Sequence, residues 1–241
     1  MSDIVLSILM LTYNRFELSS SCIPKIVENI GDIDVEILIW DNGSTDGTYD
    51  WLYNYARINP RITKVFSSEK NWGLEAINFL AKEAVGKYII KVDDDVWIPY
   101  GFAAKLVKAY ETLSEPKLAY LAYDIQWGGK TYATRSGVGL FQKDAGRTVE
   151  LPQGDKVLIT YHPEKFTLAS MCRLSLRKTF LELGGHPPGI VYGIDYPVSC
   201  TAARAGMYTG FLTGNKVLEH LGFRDKSAYR KMKDLALGIR K

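Results

Sequence analysis

Short apolar runs alternate with stretches of helical period from residue 4 to about residue 124, and this alternation restricts the possible folds more than any other feature. Residues 4–11 are almost continuously apolar, as a strand covered on both faces must be. A helix is expected over 17–30, disturbed by Pro24. A strand over 35–40 precedes a helix over 48–57, which Asn59-Pro60 ends. After a short strand at 62–66, Leu74, Ile77, Ala81 and Ala84 recur at helical spacing within 73–85, and Gly86 takes the stop position. A fourth strand, Tyr88-Ile89-Ile90-Lys91-Val92, runs straight into Asp93-Asp94-Asp95. A helix over 99–113 and a strand over 118–123 complete the series. The pattern predicts a mainly parallel α/β sheet with right-handed crossovers.

The alternation stops at 125–165, where Gly128-Gly129, Gly137, Gly139, Gly146 and Gly154 punctuate short segments. These predict loops and hairpins, hence a short antiparallel element. A strand (166–174), a helix (176–183), the turn Gly184-Gly185-His186-Pro187-Pro188-Gly189, a helix (195–205) and a strand (208–212) follow. A single domain over 1–241 is expected: a ligand-binding half to residue 124, a second half over 125–223, and a basic tail over 224–241.

Composition narrows the class without naming a partner. At 46% hydrophobic and 24% charged, the 241 residues suit an ordinary soluble domain, and a net charge of +3 does not by itself indicate nucleic acid. Arg224, Lys226, Arg230, Lys231, Lys233, Arg240 and Lys241 concentrate charge in the tail, as a solvated helix face or as a contact for an anionic acceptor or membrane surface. The cysteines Cys22, Cys172 and Cys200 are odd in number and share no metal-type spacing, which predicts buried thiols in a reducing, intracellular compartment. No apolar stretch reaches the roughly 18–20 residues of a membrane span.

Three strand ends carry polar groups. The first ends in Thr12-Tyr13-Asn14-Arg15, the second in Asp41-Asn42-Gly43-Ser44-Thr45-Asp46-Gly47-Thr48, the fourth in the aspartate triplet. In an open parallel sheet the carboxyl ends share one edge, where ligands bind. If the backbone stays extended, Asp93 and Asp95 share a face about 7 Å apart, with Asp94 on the other. Such a pair suits a divalent cation, and oxygen donors favour magnesium or manganese over zinc. A solvated acidic turn, or a cap for the helix that Pro99 opens, also places aspartates there.

On these residues the chain resembles the family 2 glycosyltransferases, which have the GT-A fold. The resemblance runs through 7–15 (Ser-Ile-Leu-Met-Leu-Thr-Tyr-Asn-Arg), 39–48 (Ile-Trp-Asp-Asn-Gly-Ser-Thr-Asp-Gly-Thr), Asn71-Trp72-Gly73, Asn78 and the Asp-x-Asp of Asp93 and Asp95, in the family's order and at similar spacing. The second half matches more weakly, through Leu183-Gly184-Gly185, Ile194-Asp195 and Glu219-His220. The resemblance implies a GT-A type, Rossmann-like sheet and the transfer of a sugar from a UDP-, GDP- or dTDP-sugar to an acceptor hydroxyl, with inversion. It implies donor binding by Thr12, Tyr13, Arg15, Asp41, Asn71, Gly73, Asp93 and Asp94, with Asp41 addressing the base, Asp93 the ribose, and Asn71 and Gly73 the diphosphate side. Asn71 also suits a helix N-cap.

Asp95 is the expected ligand of Mn2+ or Mg2+, with Asp93, and with His220 as the counterpart of the family's late histidine. Asp195 is the expected general base, and it also suits a helix N-cap. The family's Glu-Asp pair is Ile194-Asp195 here, so acceptor positioning departs from its pattern. His162 and His186, each before a proline, are expected in loops. Trp97, Trp127, Tyr132 and Tyr192 are candidates for an aromatic platform, with Trp127 and Tyr192 assigned to the acceptor. The acceptor is expected to be a glycan or lipid-linked glycan, with nucleic acid such as modified DNA as the minor option. A nucleotide-sugar-forming nucleotidyltransferase would need a glycine-rich phosphate loop where Thr12-Tyr13-Asn14-Arg15 stands. A non-catalytic sugar-nucleotide-binding relic is the other alternative.

Overall fold

The computed structural model describes residues 5–127, 130–131, 146–163, 171–189, 194–213, 218–221 and 231. The elements follow the expected order: β1 Leu6–Thr12, α1 Phe16–Asn29, β2 Val35–Asp41, α2 Thr48–Ile58, β3 Lys64–Ser67, α3 Ala76–Glu83, β4 Tyr88–Asp93. Then come β5 Val96–Trp97, α4 Phe102–Leu113, β6 Leu118–Tyr123, β7 Ile125–Trp127, β8 Lys130–Thr131, β9 Gly146–Glu150 and β10 Lys156–Thr160. Last are β11 Cys172–Leu176, α5 Arg177–Glu182, α6 Asp195–Arg204, β12 Tyr208–Thr213 and β13 Leu218–His220.

Nine strands form one sheet in the order β3-β2-β1-β4-β11-β6-β12-β10-β9. Its first four are parallel, with Leu6 opposite Val35 and Tyr88. β11 enters between β4 and β6 antiparallel to both, so the sheet is mixed beyond β4. Strand β1 is buried on both faces, which accounts for its unbroken apolar run. Pro24 sits inside α1 without ending it, since buried Cys22, Ile23, Ile26 and Val27 hold both halves against the sheet. Helix α3 is entered through a 3₁₀ turn, Gly73–Glu75, in place of the longer helix expected. Within the described residues the strand expected over 166–174 is β11, which runs on to Leu176 because Ser175 and Leu176 continue pairing with Ile89 and Tyr88; residues 164–170 lie outside the described ones.

The two faces of the sheet have different covers. Asp94 binds Ser19 of α1 on one face, whereas Trp40 of β2 packs on Phe79 of α3 on the other. A second sheet, β5-β13-β7-β8, lies beyond β4. In it His220 of β13 pairs with Val96 of β5, just past the aspartates, and the Leu221 N–H donates to the Asp95 carbonyl at 2.8 Å. No helix among the described residues is long and apolar enough to cross a membrane.

Candidate active site

The carboxyl ends of β1, β2 and β4 meet at one edge. Asp41, at 1% exposure, accepts from the Thr12 hydroxyl (2.8 Å), the Ser44 hydroxyl (2.6 Å) and the N–H groups of Gly43 (3.1 Å) and Ser44 (2.8 Å). Four donors occupy the lone-pair positions of one carboxylate. Asp41 and Thr12 therefore build the turn at the end of β2. Gly43 reverses the chain there at φ +80°, its missing Cβ leaving room for the Ser68 carbonyl. Asn42 links this turn to the next loop, accepting from the Trp72 N–H (3.1 Å) and donating to the Gly73 carbonyl (3.1 Å). Asn71 accepts the Gly73 N–H at 2.6 Å, so it turns the loop before the 3₁₀ segment.

The aspartate triplet does not keep the alternation expected of it. Strand β4 ends at Asp93 and a turn begins at Asp94, which brings Asp94 and Asp95 to the same cation. Arg15 donates through Nη1 to Asp95 Oδ2 at 2.6 Å and through Nη2 to Asp94 Oδ1. The fully buried Asp94 also accepts from Ser19 Oγ at 2.5 Å. Burial raises its carboxyl to about 6, Arg15 pulls it down, and Asp95 adds a further upward push. His220 Nε2 lies 3.2 Å from Asp95 Oδ2, although 125 residues separate them. Tyr13, two residues before Arg15, is half-buried.

Asp93 faces the other way and is ion-paired to Lys91. Arg173 on β11 stands opposite Lys91 in register. Its Nη2 contacts His186 Nε2 at 2.6 Å, and the guanidinium lies 4.6 Å from the Tyr120 ring centroid. Arg173 donates, so His186 Nε2 accepts and its Nδ1–H points to the Leu74 carbonyl at 3.1 Å. Burial first, then Arg173 and Lys91, hold that imidazole well below its ordinary pKa. Asp195 is the first residue of α6, after Ile194 in the cap position, and acts on Arg173 through space. Its carbonyl accepts from Ser199 Oγ at 2.8 Å.

The family model described as glycosyl transferase family 2 matches residues 7–182. The chain belongs to glycosyl transferase family 2. Two Bacillus subtilis (strain 168) proteins named as glycosyltransferases are similar to this member. TuaG, named for teichuronic acid biosynthesis, is 36% identical over 86 residues, 35% of this chain and 32% of its own length. EpsH is 28% identical over 126 residues, 52% of this chain and 36% of its own. The chain thus spans about a third of the curated relatives it matches. Among solved structures, a mannosyltransferase from Pyrobaculum calidifontis in complex with GDP-Man and Mn2+ aligns with TM-score 0.65 and 19% identity, over 98% of this chain and 64% of that one. S. aureus TarS 1–349 in complex with UDP-GlcNAc aligns with TM-score 0.62 and 18% identity, over 90% and 58%. The likeness shows the shared GT-A architecture.

Of the expected residues in this family 2 chain, the structure brings Arg15, Asp94, Asp95 and His220 into one contact group, and Thr12 and Asp41 into the neighbouring turn. Trp97 is partly exposed with Lys25 over its ring at 5.0 Å. Trp127 contributes backbone to β7, while its side chain, Tyr132 and Tyr192 lie outside the described residues, as does the tail apart from Lys231. Lys91, Arg173, His186 and Ser19 were not anticipated at the site. The available signal was a charged residue within an otherwise apolar strand, at Lys91 and again at Arg173.

Proposed function

We propose that this family 2 member is a metal-dependent, inverting glycosyltransferase moving a sugar from a nucleotide-sugar donor to an acceptor hydroxyl. The observation that carries the reading is the meeting of Asp95, His220 and Arg15 at the carboxyl edge of the parallel strands. Among the described residues no three acidic, histidine or cysteine side chains converge on one point, so a cation there would need the diphosphate among its ligands. The donor set fits one: a carboxylate and an imidazole in contact suit manganese or magnesium, and positive charge already sits at these aspartates as Arg15. Asp95 and His220 would hold the ion, whereas Asp93, turned to the opposite face and ion-paired to Lys91, stands apart from it. When bound, it supplies Lewis-acid stabilisation of the departing diphosphate.

Arg15 adds a fixed positive charge at the same edge. Asp93 and Asp94 flank the donor, while Tyr13, Asn71 and Gly73 line its approach. Asp41 acts by holding the 41–44 turn. Asp195 takes the acceptor proton as the acceptor oxygen bonds to the anomeric carbon and the bond to the diphosphate breaks on the opposite side. The acceptor is a glycan or lipid-linked glycan hydroxyl, a class supported by the name of TuaG, with Trp127 and Tyr192 as its platform. The three free thiols, two of them buried, suit a reducing cytoplasm.

Calorimetric titration with UDP-, GDP- and dTDP-sugars should find one donor that binds with manganese and is lost in excess chelator. Undiminished turnover in chelator would reject the metal requirement.

A further inference from the structure

Arg173 lies at 2% exposure on an inner strand, and its Nη1 is buried without an acceptor among the described residues. A buried guanidinium with an unmet donor is costly, and such a group in a native fold calls for a partner. Its contacts provide orientation without negative charge. His186 is neutral, as its depressed pKa and its Nδ1–H to the Leu74 carbonyl require. Tyr120, raised by burial, presents an un-ionised ring. Asp93 is engaged by Lys91, and Asp93 and Asp195 act on Arg173 through space.

The arrangement is rigid. His186 donates its backbone N–H to Asn78 Oδ1 at 2.7 Å and accepts from Asn78 Nδ2 at 2.8 Å. A side chain on Gly185, at φ +66°, would run into Asn78. The guanidinium is thus pinned between an imidazole and a phenol ring, in charge range of the donor-side Asp93 and the base Asp195. On the glycosyltransferase reading, on which this inference rests, the transferred sugar must lie between those two carboxylates.

We infer that Arg173 is a specificity-determining residue that grips a carboxylate on the transferred sugar, making the donor a nucleotide-activated uronic acid. A sugar hydroxyl would fill the hydrogen bond but leave the buried charge to the through-space effect of Asp93 and Asp195; a carboxylate supplies the acceptor and a directly paired charge together. Arginine suits the task because its planar fork matches a carboxylate and its charge persists at any working pH.

Calorimetry with manganese tests this, taking uridine, guanosine and thymidine diphosphates in turn: the diphosphate alone, its hexose and the matching hexuronate. The wild-type chain should bind the hexuronate of one nucleotide about tenfold or more tightly than the hexose. Arg173→Gln should erase that preference while the diphosphate alone keeps its affinity, and Arg173→Lys should restore part of it. The wild-type comparison stands even if a variant fails to fold. Equal affinity for hexose and hexuronate, or a preference that survives Arg173→Gln, overturns the inference alone. Failure of every diphosphate to bind overturns the transferase reading and this inference with it.

Discussion

The two faces of the sheet treat the end of β4 in opposite ways. On the α1 face, Asp94 and Asp95 are closed against Arg15, Ser19 and His220, a group whose charges answer one another. On the α3 face, Lys91 satisfies Asp93, but Arg173 keeps a buried donor without an acceptor among the described residues. Ion pairs such as those of Arg15 can hold a strand end in place before any ligand arrives, whereas a buried donor without an acceptor calls for one from outside. On the proposed function, the first face anchors the nucleotide end and the second reads the sugar.

The contrast is broken most strongly by Asp95→Ala, which removes the carboxylate shared by Arg15 and His220. Transfer and metal-dependent donor binding should both disappear, by about 10³-fold or more, in assays of product formation and calorimetry. On the other face, Asp195→Asn should lower transfer by about 10²–10⁴-fold while leaving donor affinity largely intact. Normal turnover in that variant would remove Asp195 from the chemistry.

Smaller effects sharpen the comparison. Ser19→Ala strips a hydrogen bond from fully buried Asp94 and should cost about 1–3 kcal/mol in denaturant unfolding, where an exposed serine would cost far less. Titration should then separate the faces by sign. Asp94 is raised from 3.8 to about 6, so between those values the folded chain holds a proton the unfolded chain has lost. Its contribution to stability falls as pH rises through that window. His186 is depressed below 6.5, so below that pH the unfolded chain takes a proton the folded chain refuses, and stability falls as pH drops. Unfolding without metal or nucleotide, comparing wild type with Asp94→Asn and with His186→Gln, should give difference curves of opposite slope, each at most about 1.4 kcal/mol per pH unit. Slopes of the same sign would abolish the distinction.

Much of this was legible in the chain. Strands β1, β2, β4 and β6 read true because a strand covered on both faces must be apolar throughout, and β6 falls on the expected residues 118–123, whereas the half-exposed β3 lies at Lys64–Ser67 in place of 62–66. The polar strand ends were legible for the complementary reason: Thr12, Arg15, Asp41 and the aspartates interrupt apolar runs where a parallel sheet gathers its carboxyl ends. The direction of Asp95 was not, since period-two alternation ends with the strand and a turn follows Asp93. The insertion of antiparallel β11 was equally hidden, because an apolar run has the same appearance in either orientation.

Periodicity and strand-end chemistry by themselves determined a mainly parallel α/β sheet and the edge at which its polar groups collect. Only tertiary structure decided which of those groups meet. His220 reaches Asp95 because β13 pairs with β5, and Arg173 reaches Lys91 because β11 lies beside β4. Local pattern records which face of its own strand a residue occupies; the neighbour it finds there depends on strand pairing between distant segments, which follows from packing the whole sheet.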